Sequence, residues 1–240
     1  GAAIPAPGYW WPALGAIALN LVANLAFMQS VRTAPMSRTI PLLSLTPVFA
    51  TLVAIPIFGE WPTAIQALGI FCVVATALIL ARGSNEGADA GGGFWSTLGR
   101  RGGLLMAFVA ACWSVTPSLD KLAMGHAPPS VHALVVVAGV ALGLLILAWR
   151  QRLGGQVLAL LTTRRALALS LAAVAVAAFA SGVQLVAYQQ VPVGVVETTK
   201  RGVGASLALV FGSLFFSERI GWARVAAVAV MVAGVALVIL

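Results

Sequence analysis

The chain alternates between long apolar stretches and short polar connections. Eight apolar stretches stand out, at residues 10–28, 39–58, 64–82, 102–119, 131–149, 166–188, 193–216 and 221–240. Each is close to the roughly 20 residues that a helix needs to cross a hydrocarbon layer. Pro35, Pro62, Pro128, Pro129 and Pro192 fall between stretches, where a missing backbone N–H does least harm. Trp10, Trp11, Trp61, Trp149 and Trp222 fall at stretch ends, as in the aromatic belts of a bilayer. The one long connection, residues 83–101, is the Gly-rich polar run GSNEGADAGGGFWSTLGRR and reads as a linker. The pattern predicts an all-α integral membrane protein of about eight transmembrane helices, divided into residues 1–82 and 102–240.

Composition removes the alternatives. Of 240 residues, 61% are hydrophobic and 8% charged, with a mean hydropathy of +1.03. A soluble domain is typically about 45–50% apolar and about 25% charged, so this chain lacks the polar groups to coat a water-facing surface. Disorder is excluded by the same apolar excess. The net charge of +8 comes from 14 basic and 6 acidic residues. Eleven of the basic residues lie in four connections: Arg32 and Arg38; Arg82, Arg100 and Arg101; Arg150, Arg152, Arg164 and Arg165; Arg219 and Arg224. Those connections are expected to be cytoplasmic, with both chain ends on the other side. No basic run with interleaved aromatics points to nucleic acid. Cys72 and Cys112 sit inside apolar stretches and read as packing residues. GAAIPAPGYWW, at the start, has no basic n-region of a signal peptide.

The chain also repeats itself. AFMQSV (26–31), a span, then IFGEWPTAIQALG (57–69) matches AYQQV (187–191), a span, then FFSERIGWARVAA (215–227). Glu60 and Glu218 correspond at an offset of 158, and Phe27 and Tyr188 at 161. Five spans follow the linker and three precede it. Shifting residue 102 back by 158 places the matching start roughly 56 residues before Gly1, room for two spans. The expectation is an N-terminally truncated member of a five-plus-five design. With five spans in each half, consecutive repeats have opposite orientations, a plan common to secondary transporters.

These residues resemble the EamA-like permeases of the drug/metabolite transporter superfamily. The resemblance covers essentially the whole chain. It is carried by SLTPVFATLVAIPIFGEWPTAIQALGIFCVVATALILA (44–81) and VETTKRGVGASLALVFGSLFFSERIGWARVAAVAVMVAGVALVIL (196–240). SVTPSLDKLAM (114–124) is similar to the end of the first helix of that family's second half. The resemblance implies ten helices in two inverted halves, the first two helices being absent here, and a transporter of small metabolites, often an exporter. Relatives are drawn with cytoplasmic termini, opposite to the arginine count.

Ionisable groups within a bilayer are costly and mark functional candidates. Glu197, Lys200 and Arg201 lie within one helical turn and carry net +1, which suits an anionic group such as a carboxylate or phosphate. A Lys-Arg pair here is similar to that of the sugar-phosphate translocators. The alternative is a self-satisfied triad that locks helices together or snorkels. Trp113 and Thr116 share a face, beside a carbonyl freed by Pro117, and form a candidate wall for an amphipathic metabolite. Asn24, with Asn20, and the pair Gln184 and Tyr188 are spaced four apart, as cavity lining or interhelical glue. Asp120 and Lys121 read as an interfacial pair or a gate. Pro41 and Pro47 predict a broken helix, Arg38 at its start reads as snorkelling, and Gly69 and Gly234 predict close helix contacts. Glu60 and Glu218 read as carboxylates near the next helix N-terminus. His126 and His132 lie far from any acidic cluster in sequence, and neither a metal site nor a cofactor is expected.

The expected function is a secondary transporter of small polar or amphipathic metabolites, an exporter or exchanger in a bacterial inner membrane, not an enzyme. No phosphate-binding Gly-rich loop supports ATP coupling. Proton coupling, with Glu197 as carrier, and a homodimer stay open. The competing readings are a membrane-embedded lipid-modifying enzyme, which the six acidic residues make hard to assemble, a non-transporting scaffold, and a sugar-phosphate-type anion translocator.

Overall fold

The structure, a computed structural model, describes residues 7–34, 39–83, 99–155, 162–216 and 222–240. Among these residues each of the eight apolar stretches is helical and there is no strand: α1 (Trp10–Thr33), α2 (Thr46–Phe58), α3 (Ala64–Gly83), α4 (Arg101–Met124), α5 (Pro129–Arg150), α6 (Arg164–Gln190), α7 (Val193–Phe216) and α8 (Trp222–Ile239). Short 3-10 turns at Pro7–Tyr9 and Ile40–Leu45 lead into α1 and α2. Four helices are long and apolar enough to cross a membrane: Pro7–Thr33, α4, α5 and α6. Leu42–Phe58, Ala64–Ile79 and Val225–Ile239 are apolar but shorter. Helix α7 is 24 residues long and carries the charges of Glu197, Lys200 and Arg201. The chain is an all-α, multi-pass membrane protein. The linker residues 84–98, and with them Glu86 and Asp89, lie outside the described residues, as do Pro35, Arg38, Glu218 and Arg219.

Local sequence chemistry sets the boundaries. Pro47 has no N–H to offer the Leu43 carbonyl, four residues back. The Thr46 N–H and the Thr46 hydroxyl, at 2.6 Å, bond that carbonyl instead, and the chain switches there from 3-10 to α-helix. The predicted break in this stretch is therefore a change of helix type. Gly59 ends α2 with φ +69°, a left-handed conformation that favours glycine. Thr63 and Gln66 then bond each other's backbone N–H groups at 3.1 and 3.2 Å, a reciprocal cap that starts α3.

The chain forms two compact units. One comprises Gly1–Leu21 and Leu119–Gln190. Its core gathers Tyr9, Ala13, Ala123 and Ala127, with Val135 against them, so small side chains bring the helix ends together. The other comprises Val22–Ser118 and Val191–Leu240. Ile70, Val74, Val195 and Val238 form a core there, where α3 and α8 pack closely. Gly69 and Gly234 lie at that crossing: a Cβ on Gly234 would come within 3.0 Å of the Gly69 carbonyl oxygen. Lipid tails solvate apolar side chains as well as a protein core does, so close van der Waals fit holds such helices together.

Candidate functional site

Helix α7 carries the sharpest polar cluster. Pro192 precedes α7, which begins at Val193, and its carbonyl takes the Val195 and Val196 N–H groups at 3.0 and 3.2 Å. Glu60 supplies one acceptor: its Oε2 takes the Val193 N–H at 2.9 Å, across 133 residues of chain. Glu60 was expected to favour the next helix, α3. It does sit at a helix N-terminus, but at that of α7. One turn further on, Glu197 is fully buried (0% exposed) and accepts a hydrogen bond from Lys200 Nζ. The Lys200 side chain remains 40% exposed, so its charge is anchored at one end of an open position.

Arg201 joins α7 to α2. Its terminal nitrogen donates to Thr46 Oγ1 at 3.4 Å, long for a charge-assisted bond. The Thr46 carbonyl accepts in turn from Ser114 Oγ of α4 at 3.2 Å, and Ser114 also bonds the Ala110 carbonyl. Three helices thus converge on Thr46, a residue the sequence reading passed over. The helix break at Pro47 was the available signal, since it frees backbone groups at that point. Beside Ser114, Trp113 lies against Phe27 of α1 with ring centroids 5.8 Å apart. Thr116 is buried and its hydroxyl closes on its own helix, at 3.0 Å from the Cys112 carbonyl. Asn24 is half-buried on α1, and the Asn20 amide bonds the Ala16 carbonyl of the same helix at 3.0 Å.

Six of the eight candidate residues therefore lie in one unit: Glu197, Lys200, Arg201, Trp113, Thr116 and Asn24. Gln184 and Tyr188 lie in the other, on α6, where the Gln184 amide donates to the buried Tyr188 hydroxyl. Near Glu60, a small cleft is lined by Thr51, Trp61, Gln66 and Pro192 and holds none of the eight.

One expectation about histidine is overturned. His132 is not remote from acidic groups: its Nε2 lies 3.0 Å from Asp120 Oδ1. The short turn at Gly125–Pro128 folds the start of α5 back onto the end of α4, so residues 12 apart in sequence meet. His132 Nδ1 is 3.1 Å from the Tyr9 hydroxyl, and all three side chains are buried. Asp120 is thus partnered by a histidine across the turn, beyond the interfacial pairing expected with Lys121. Among the described residues, no group of three His, Cys, Asp or Glu side chains could hold a metal ion.

Comparison with known proteins agrees with this architecture. No curated protein matches the chain. Fourteen chains of solved structure do. One crystal structure superposes with a TM-score of 0.74 at 18% identity, over the whole of this chain and 80% of its own. A likeness at that identity establishes the fold. A profile of the EamA-like transporter family matches residues 2–82 and 100–240. The chain belongs to the EamA-like transporter family.

Proposed function

We propose that the chain is a secondary transporter that moves a small polar or amphipathic metabolite with an anionic group, as an exporter or exchanger. The observation that carries this reading is the α7 cluster. Glu197 is buried and holds Lys200, while Arg201 extends to Thr46 on another helix. Within the triad one carboxylate faces two cations, and ionisable groups inside a membrane protein commonly mark a ligand site. Arg201 is suited to grip a carboxylate or phosphate with two parallel bonds, replacing its long bond to Thr46, and Lys200 adds a point charge. Trp113 and Phe27, beside the Ser114–Thr46 contact, offer an aromatic face to an amphipathic body. The two inverted repeats would alternate access around this site. The arginine-rich connections support an orientation in which they face the cytoplasm, and the reading takes the membrane to be a bacterial inner membrane.

The test is counterflow into proteoliposomes carrying the full chain, screened with labelled amino acids, carboxylates and phosphorylated metabolites. Lys200→Ala and Arg201→Ala are run beside it after confirming equal insertion. The expected result is uptake of an anionic solute, lowered about tenfold or more in each variant, since a lost charged hydrogen bond is worth about 1.5–3 kcal/mol. Equal flux in both variants would remove these residues from the site.

A further inference from the structure

Away from α7, the structure holds a second buried ionisable cluster that the transport reading does not use. Tyr9 stands in the turn leading into α1, Asp120 in the last part of α4 and His132 in the first turn of α5. Tyr9 and His132 are fully buried and Asp120 is 8% exposed. The pattern of partners assigns the hydrogens. Nε2–H of His132 donates to the Asp120 carboxylate, and Nδ1 accepts from the Tyr9 hydroxyl. The Tyr9 ring stands edge-on to the imidazole, 5.7 Å between centroids, and fixes its plane. Around the cluster lie Ala13, Ala123 and Ala127, which offer no competing polar group.

The other ionisable groups of this unit are few. Lys121 follows Asp120 on α4. His126, in the turn, packs its ring on Gly8, where a Cβ would lie 3.0 Å from its Cε1. Helix α5 ends at Arg150, with Arg152 just after it, and helix α6, packed on α5, has Arg164 and Arg165 at its start and Tyr188, bonded by Gln184, near its end. Helix α1 adds none from Trp10 to Leu21.

We propose that Tyr9, His132 and Asp120 form a proton-binding site, in which His132 takes up one proton that Asp120 stabilises. With the neutral ring, the cluster carries the single negative charge of Asp120. A proton added at Nδ1 makes an imidazolium, which donates to the Asp120 carboxylate from Nε2 and to the Tyr9 oxygen from Nδ1. The cluster becomes an uncharged ion pair, which cancels a buried charge. The Tyr9 O–H, which had pointed at Nδ1, must then turn away from the ring. Because Tyr9 is locked among the ends of α4 and α5, the proton is read out as a change in how the start of α1 sits on them. Histidine is the side chain whose ordinary charge change falls between about pH 5 and 8, which sets the range to search. The site stands whether or not Lys200 and Arg201 bind substrate.

The chain contains two histidines. His126→Gln, outside the cluster, leaves His132 as the only imidazole. The full chain with that change, ring-labelled at histidine and held in lipid nanodiscs, is followed by NMR between about pH 5 and 8. The expected result is a ring that moves between its neutral and charged signals, with proton binding at least about tenfold weaker when Asp120→Asn is added. A ring that keeps one charge state throughout, or a titration unchanged by Asp120→Asn, overturns the proposal. A hydrogen-bonded tie alone is separated by a second measurement. The thermal midpoint of His132→Gln is compared with that of the unaltered chain at both ends of the pH range. A proton site makes the difference between them vary with pH; a constant difference refutes it.

Discussion

Gly69→Ala tests the claim that close fit holds the larger unit together. A Cβ on Gly69 would lie 2.6 Å from the Gly234 carbonyl oxygen, 2.6 Å from Val238 Cγ2 and 2.9 Å from the Val238 nitrogen. The valine methyl can rotate away, but two of the three atoms are backbone of α8. Contacts of this kind settle at about 3.5–4 Å, so α3 and α8 must part locally by roughly 1 Å. A gap of that size forfeits about a quarter to a half of each dispersion contact, and Ile70, Val74 and Val238 lie along the same seam. Overpacking costs about 1–3 kcal/mol, and rigid neighbours put this site at about 2–3. Alanine's better helix propensity returns about 0.5–1 kcal/mol. The net loss is about 1–2.5 kcal/mol, or about 2–10 °C in thermal midpoint for a chain this long. The assay is heat-induced loss of the monodisperse gel-filtration peak in detergent. Gly204→Ala is the control, because a Cβ there meets nothing within 4 Å. It should hold or raise the midpoint. If Gly69→Ala matches Gly204→Ala, the close-packing argument is wrong.

Three further outcomes follow from single contacts. Glu60→Gln keeps an acceptor for Val193 N–H and loses only the charge at the α7 N-terminus, about 0.3–1 kcal/mol, whereas Glu60→Ala also strands the donor, about 1–3 kcal/mol. Thermal midpoints should therefore fall in the order unaltered, Gln, Ala; an Ala variant as stable as the native chain contradicts the cap. Thr46→Val removes the acceptor of Arg201 and the donor to the Leu43 carbonyl, and should lower both stability, by about 1–3 kcal/mol, and counterflow. Unchanged counterflow would show that Thr46 does not position Arg201. Tyr188→Phe breaks the Gln184 bond and should cost about 0.5–1.5 kcal/mol, with a smaller loss in a Gln184→Leu background, where that bond is already gone.

The helices were legible because two strong signals coincide: apolar stretches of bilayer length, and prolines where those stretches stop. The helix ends move outward, as at α1 and α4, because residues such as Arg32 and Lys121 continue the helical bonding after the apolar pattern ends. The Lys200–Glu197 pair was legible as well, since its partners share one helix and a spacing of three. Pairings between helices were not. Glu60 announces that it will sit at a helix N-terminus, but nothing in its neighbourhood says that the helix begins at Val193. His132 and Asp120 seemed distant because four residues of turn hide the reversal of the chain. A short proline-containing connection between two helices brings the last turn of one against the first turn of the next, and that geometry makes a separation of 12 a near contact.

Side chains that close on their own helix explain why composition alone misplaces a site in such a chain. Thr51 bonds the Pro47 carbonyl, Thr116 that of Cys112, Thr198 that of Gly194 and Ser206 that of Gly202, each four residues back. These hydroxyls hide their polarity inside the helix that bears them, as lipid surroundings require, and a scan for polar residues counts them as candidates all the same. A different few reach across to another helix: Ser30 to the Gly102 carbonyl, Ser114 to that of Thr46, Arg201 to the Thr46 hydroxyl, and Tyr9 through His132 to Asp120. These, together with the Glu60 carboxylate on the Val193 N–H, can respond when helices move, because their bonds change length. By that criterion Thr46 joins the candidates for contact with substrate. The same criterion singles out the Tyr9–His132–Asp120 chain, where moving one proton alters which atom donates across three helical segments.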